Sequence, residues 1–332
     1  MSSETIKYWI RLSGIMICSG FIFASFTGCA MGNKHIGENG FKQGITYANP
    51  SCRHIKDLPV NSIKPGIQQK DSPGTLPEIT CDEYEKLGDA LLTKGEFYTA
   101  YQQYQRSLNL DPDNIRVQHK KGLTFLGAQK FADAVKEFQN VLQQEPDYAP
   151  AHESMGIARF QLHNYDDAEI HLKKANELDP ALWKTHNYLG NIYDFQNLYP
   201  RAISEYLAAV QLQPDNGFLY NNLGVSYNLN KEFKKSVNAF RMALKSGYTR
   251  SKVYNNLGLA LSNLGQYSQA LDAFRKGGTE AQAYNNLGCV YMRQGKREKA
   301  SKCFKKAIEI DPIFYVKAGE NLKKIHEEPN GP

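Results

Sequence analysis

Six glycines, Gly88, Gly122, Gly156, Gly190, Gly224 and Gly258, stand 34 residues apart, and no other feature of the chain narrows its fold so far. A fixed period of that length means one supersecondary unit copied along the sequence. Counting slots from residues 81, 115, 149, 183, 217, 251 and 281, the same chemistry returns in each copy. In the fourth copy Leu189-Gly190 is followed by Tyr193, Ala202, Tyr206, Ala209 and Pro214; in the seventh Leu287-Gly288 is followed by Tyr291, Ala300, Phe304, Ala307 and Pro312. The pattern predicts two helices per copy. A small residue at slot eight of the first helix and another at slot twenty of the second let the two approach. A bulky residue at slot twenty-four, such as Tyr104, Phe138, Leu172, Phe240 or Phe274, fills what is left. Proline at slot thirty-two ends the second helix because it cannot continue the hydrogen-bond ladder.

The seven copies in register resemble the tetratricopeptide repeat. The resemblance implies an all-α, right-handed superhelical solenoid of about seven helical hairpins, with units near 81–114, 115–148, 149–182, 183–216, 217–250, 251–280 and 281–314. A closing helix over 315–327 would cap the stack and residues 328–332 would fray. Three departures carry their own expectations. Gly288 follows Gly258 by 30 residues, so the second helix of the sixth unit should be about a turn shorter. Gly247 stands just before Tyr248, the residue in the proline slot, and can form a left-handed cap. Pro200 falls in the first turn of its helix, where proline is tolerated.

Residues 1–28 follow another plan. Lys7 and Arg11 precede the uncharged run Leu12–Gly28, which ends in small residues before Cys29. A charged start, an apolar middle and a small-residue exit make a secretory signal. With the cysteine, the segment resembles a bacterial lipoprotein signal, which implies cleavage, acylation of Cys29 and a body outside the cytoplasm. Ala30 after the cysteine, where an Asp would favour the inner membrane, implies the outer membrane, facing the periplasm. The competing reading is an uncleaved anchor, since the run lies at the short end of the spanning range. Residues 29–78, with prolines and glycines at intervals, read as the lipidated N-terminus and a tether; as a coil it would span about 40 Å.

Lys7 and Arg11 against Glu4 remove one positive charge from the formal +6, and the remainder holds no block of five like charges. A nucleic-acid partner has little support. No glycine-rich phosphate loop, His-Glu-x-x-His or close-spaced ligand run occurs, so no enzyme, cofactor or metal is expected. His152 and His186 share slot four and read as packing histidines. Two disulfides stay open, Cys52–Cys81 and Cys289–Cys303, with buried thiols as the alternative for the second pair.

Function is expected on the face lined by the first helices. Slot six reads Lys86, Lys120, Ser154, Tyr188, Asn222, Asn256 and Asn286, and slot five adds Asn221, Asn255 and Asn285, with Asn187 and Asn191 in the fourth unit. An asparagine amide donates and accepts, so a column of them could clasp an extended backbone. The same column could equally hold helix to helix. Tyr188, Phe195 and Phe218 could supply apolar pockets, and Lys86, Arg116 and Lys120 could receive an acidic group.

With Ala283-Tyr284-Asn285-Asn286-Leu287-Gly288, Tyr291 and Gly295 behind a lipid-bearing cysteine, the chain resembles the TadD lipoproteins of the Flp (tight adherence) pilus assembly system. That resemblance implies a non-enzymatic scaffold that helps place a secretin or another secretion component. A scaffold for peptidoglycan enzymes or envelope proteases, and a purely structural spacer, are the rival readings. Self-association is left open.

Overall fold

The computed structural model describes residues 79–312 and 315–327, and every element among them is an α-helix. The predicted signal, Cys29, the tether and the tail lie outside the described residues. Two compact units divide the chain, one ending at Tyr188 and one starting at Leu189. In the first, α1 (Cys81–Lys94) pairs with α2 (Phe97–Leu110), α3 (Ile115–Gly127) with α4 (Phe131–Gln144), and α5 (Ala149–Gln161) with α6 (Tyr165–Leu178). The division falls within α7 (Trp183–Phe195). The second unit continues with α8 (Tyr199–Leu212), the hairpins α9 (Gly217–Leu229) with α10 (Phe233–Lys245), α11 (Ser251–Asn263) with α12 (Tyr267–Gly277), and α13 (Glu280–Arg293) with α14 (Arg297–Ile310), and then α15 (Tyr315–Glu327).

The slots work as their chemistry requires. A Cβ placed on Gly88, Gly122, Gly224, Gly258 or Gly288 would lie 2.5–2.7 Å from the ring at slot twenty-four of the same hairpin. Those rings, Tyr104, Phe138, Phe240, Phe274 and Phe304, are fully buried, as are Ala100, Ala134, Ala168, Ala202, Ala270 and Ala300 at slot twenty. Hydrogen-bonding residues start several helices: Thr80 and Glu83 form a capping box on α1, Thr279 and Gln282 another on α13, and Asn114 and Asn164 cap α3 and α6. The helix of the sixth unit is short, as its spacing demands: α12 has 11 residues against 13 or 14 in the others. Pro200 sits in the first turn of α8 and Gly247 takes φ +77°.

A regularity escaped the sequence. The turn inside each hairpin places one residue in the left-handed region, at Gly95, Gln129, His163, Asn197, Lys231, Gly265 and Gly295. Four of the seven are not glycine, so glycine counting alone cannot find the position. Cys81 and Cys303 are free thiols, so neither the Cys52–Cys81 nor the Cys289–Cys303 bridge forms. Among the described residues no helix is long and apolar enough to cross a membrane.

Candidate functional site

Slot five is polar in every hairpin and buried in every hairpin: Glu85, His119, Glu153, Asn187, Asn221, Asn255 and Asn285. Burying so many polar groups is tolerable only if each finds a partner, and within each unit partners come from the next first helix. In the first unit, Glu85 accepts from Lys120 at 2.7 Å and from Arg116 at 2.6 Å. His119 Nε2 meets Ser154 Oγ at 2.9 Å, and Glu153 Oε1 accepts from the backbone N–H and the hydroxyl of Thr185, both at 3.1 Å. In the second unit Asn256 donates to Asn221 Oδ1 at 3.4 Å, Asn286 to Asn255 Oδ1 at 3.4 Å, and Asn321 of α15 to Asn285 Oδ1 at 3.2 Å. Asn255 also donates to the Gly277 carbonyl at 3.4 Å, an approach that a Cβ on Gly277 would obstruct. The result, within each unit, is a polar spine that hands hydrogen bonds from hairpin to hairpin.

Asn221, Asn255, Asn285 and Asn286 are therefore inside the stack and cannot line an open face. Asn187 is also buried, and Tyr188 is half-buried, packed edge-on against Phe160 at 5.2 Å with its hydroxyl pushed up to about 12 by burial. Asn222 and Asn256 remain half-buried at the edge of the spine. On α9, Phe218, Asn222 and Val225 stand at i, i+4 and i+7, one side of a helix; Lys252, Asn256 and Leu259 repeat the spacing on α11. All six are half-buried. Lys252 lies over the Phe218 ring at 5.9 Å and over Tyr248 at 5.7 Å, which ties the two stripes together. Phe195 is exposed.

The basic trio divides. Lys86 is exposed, but Lys120 is held between Glu85 and Asp89, at 2.7 and 2.6 Å, and Arg116 also serves Glu85. Burial works against the Glu85 charge, yet the bonds and attraction from Lys120 and Arg116 win and hold its carboxyl below the usual range. The chain's own acids thus answer the cations that sequence offered to a partner's carboxylate. His152 and His186 do structural work as well, each placing Nε2 on the carbonyl of the terminating proline: Pro146 at 2.8 Å and Pro180 at 3.2 Å. Gln118 makes the same contact with Pro112 at 2.8 Å.

Asn191 belongs to a separate cluster. Its Oδ1 and Asp194 Oδ2 both accept from the Tyr206 hydroxyl, at 2.8 and 3.0 Å, and Ser226 donates to Asp194 Oδ1 at 2.8 Å. Burial raises the Asp194 carboxyl to about 6 despite these donors. Burial acts on His119 in the opposite sense, lowering it to about 3. The two groups oppose one another in pH. Folded Asp194 keeps a proton that the unfolded chain has lost, so its contribution is fully present below about pH 4 and disappears as pH rises through about 6. Folded His119 refuses a proton that the unfolded chain binds, so its contribution is present above about 6.5 and is lost as pH falls towards 3. The Asp194→Asn variant should show a flatter stability profile than wild type between about pH 4 and 6 in denaturant titrations. His119→Asn, the residue later repeats carry at this slot, should flatten the opposite slope. Unchanged slopes would remove both groups from the pH response.

Patterns described as tetratricopeptide repeat match residues 84–114 and 251–277, 125–186 and 281–314. The matched segments are tetratricopeptide repeats. Such repeats form protein–protein interaction scaffolds, generally without catalysis. Among solved structures, a chain of the APC/C hetero-tetramer Cut9–Hcn1 superposes with a TM-score of 0.55 at 21% identity, over 74% of this chain and 49% of that one. The protein thus spans about half the length of that relative, and the likeness is one of fold. A tetratricopeptide repeat protein from Parabacteroides merdae aligns at 16% identity over 74% of this chain and 99% of its own, with a TM-score of 0.49. Pseudomonas aeruginosa pilF aligns at 19% identity over 63% and 97%, also at 0.49. None of the curated proteins matches by sequence.

Proposed function

We propose that this protein is a non-enzymatic scaffold, held by an acylated Cys29 at the periplasmic side of the outer membrane, whose repeats bind an extended segment of a partner polypeptide. The observation that carries the reading is the double stripe Phe218, Asn222, Val225 and Lys252, Asn256, Leu259. It sets an amide between an apolar or aliphatic-stemmed side chain on either side, twice, on adjacent first helices. An extended peptide offers alternating carbonyls, N–H groups and side chains, which is the complement of such a surface. Tethering near a membrane raises the effective concentration of the face for partners held there, so a weak contact suffices. The resemblance of the signal and the Asn285-Asn286-Leu287-Gly288 segment to the TadD lipoproteins supports a partner from a pilus or secretion machine, a secretin being the first choice.

Two measurements test the proposal. Recovery of the partner on immobilised full-length protein should fall at least tenfold for Asn222→Ala with Asn256→Ala, measured where circular dichroism shows both proteins fully folded, because Asn256→Ala also removes the donor to buried Asn221 Oδ1 and lowers the unfolding midpoint. Equal recovery would move binding to another face or leave a spacer. Palmitate labelling should vanish in Cys29→Ser; equal label in both forms would defeat the anchor.

A further inference from the structure

His152 at slot four of α5 and His171 at slot twenty-three of α6 bring their Nδ1 atoms to 3.0 Å, with ring centres 5.3 Å apart and planes tilted by 33°. No other hairpin has two imidazoles at these slots. The carbonyl of Pro146, 2.8 Å from His152 Nε2, can only accept, so the hydrogen of a neutral His152 sits on Nε2 and its Nδ1 carries a lone pair. That is the arrangement of a metal-bound histidine, whose second nitrogen donates to a backbone carbonyl that fixes tautomer and ring direction. His171 is held below its ordinary value by burial first and by His152 beside it. Around them stand Asp147, Arg159, Asp167 and Lys174. Asp147 is paired with Lys174 at 2.9 Å and Asp167 with Arg159 at 3.7 Å.

The geometry points to a divalent transition-metal site, of the zinc class, chelated by His152 Nδ1 and His171 Nδ1 across the third hairpin. Two imidazoles on a tetrahedral zinc, each nitrogen about 2.0–2.1 Å from the ion, hold their ring centres about 5.2 Å apart. The observed spacing already matches, and each ring need only turn until its Nδ1 faces the common apex. Without metal, His171 Nδ1–H donates to His152 Nδ1. When the neutral pair binds the ion, that proton moves to His171 Nε2 through solvent, and no net proton is released from it. Among the described residues no third histidine, cysteine or acid joins the pair, so water fills the remaining positions. The ion would staple the two helices of one repeat.

The test titrates full-length protein with Zn2+ by calorimetry and follows the thermal midpoint. Two variants are protected against misfolding by other repeats. His152→Gln keeps a donor for Pro146, as Gln118 does for Pro112, and His171→Ala places at slot twenty-three the residue found at Ala239 and Ala273. Wild type should bind Zn2+ with a rise in thermal midpoint. Each single variant should lose at least tenfold in affinity for that site and lose the midpoint rise. His186→Gln, the same exchange one repeat later, should leave both readouts unchanged. Absence of binding by wild type up to millimolar Zn2+, or equal binding by wild type and both variants, would overturn the proposal.

Discussion

Replacing Phe240 with alanine should destabilise the second unit by about 3–5 kcal/mol, the range for truncating a buried phenylalanine. Phe240 is fully buried and its ring would lie 2.7 Å from a Cβ on Gly224, so it fills the seam between α9 and α10. Gly224→Val, which drives three carbons into that ring, should also be costly, by about 1–3 kcal/mol or more. The combination is the sharper measurement. With the ring removed, the valine methyls occupy vacated space, and the double variant should be more stable than the sum of the single losses predicts. Denaturant midpoints of the four proteins give the coupling. Losses that add to within about 0.5 kcal/mol would mean that glycine and ring do not share one volume.

Asn255→Leu should cost about 1–3 kcal/mol, because it strands groups that the stack has buried. Asn286 Nδ2 loses its acceptor and the Gly277 carbonyl loses a donor. Asn286 Oδ1 is already buried without a partner, so the whole Asn286 amide would be left unsatisfied. Exchanging both asparagines for leucine removes the two ends of the bond together, and apolar groups of similar shape in both places can be nearly neutral. The double variant should therefore recover the part of the loss that comes from the Asn286 amide, while the Gly277 carbonyl stays without its donor. A double variant as unstable as the single one would show that the amides are needed for something other than mutual satisfaction.

The repeat and its hairpins were legible because period, glycine, alanine and aromatic slots all answer to one steric fact, the contact at slots eight and twenty-four. The asparagine column was legible only as a column. Asn221 and Asn222, like Asn255 and Asn256, are neighbours on a helix and so about 100° apart around it. Adjacent identical letters do not say which one faces the stack, and slot five proves to be the inward one. The same gap hid the answer to the cations. Lys120 and Arg116 read as open because Glu85, their partner, lies more than thirty residues earlier. The approach of His152 to His171 needs the hairpin to close before it exists, since 19 residues separate them.

The spines of the two units speak different dialects, and this restricts how the array can evolve. Near its start each junction joins unlike chemistries, carboxylate to ammonium at Glu85 and Lys120, imidazole to hydroxyl at His119 and Ser154, whereas from Asn221 onward amide follows amide. An early hairpin copied into a new location would bury Lys120 beside a group unable to neutralise it. A late hairpin duplicated in tandem would meet its own kind on both sides. Lengthening or shortening by unequal recombination is thus tolerated in the asparagine stretch and penalised ahead of it, so descendants of this chain should differ in repeat number chiefly towards the C-terminal end.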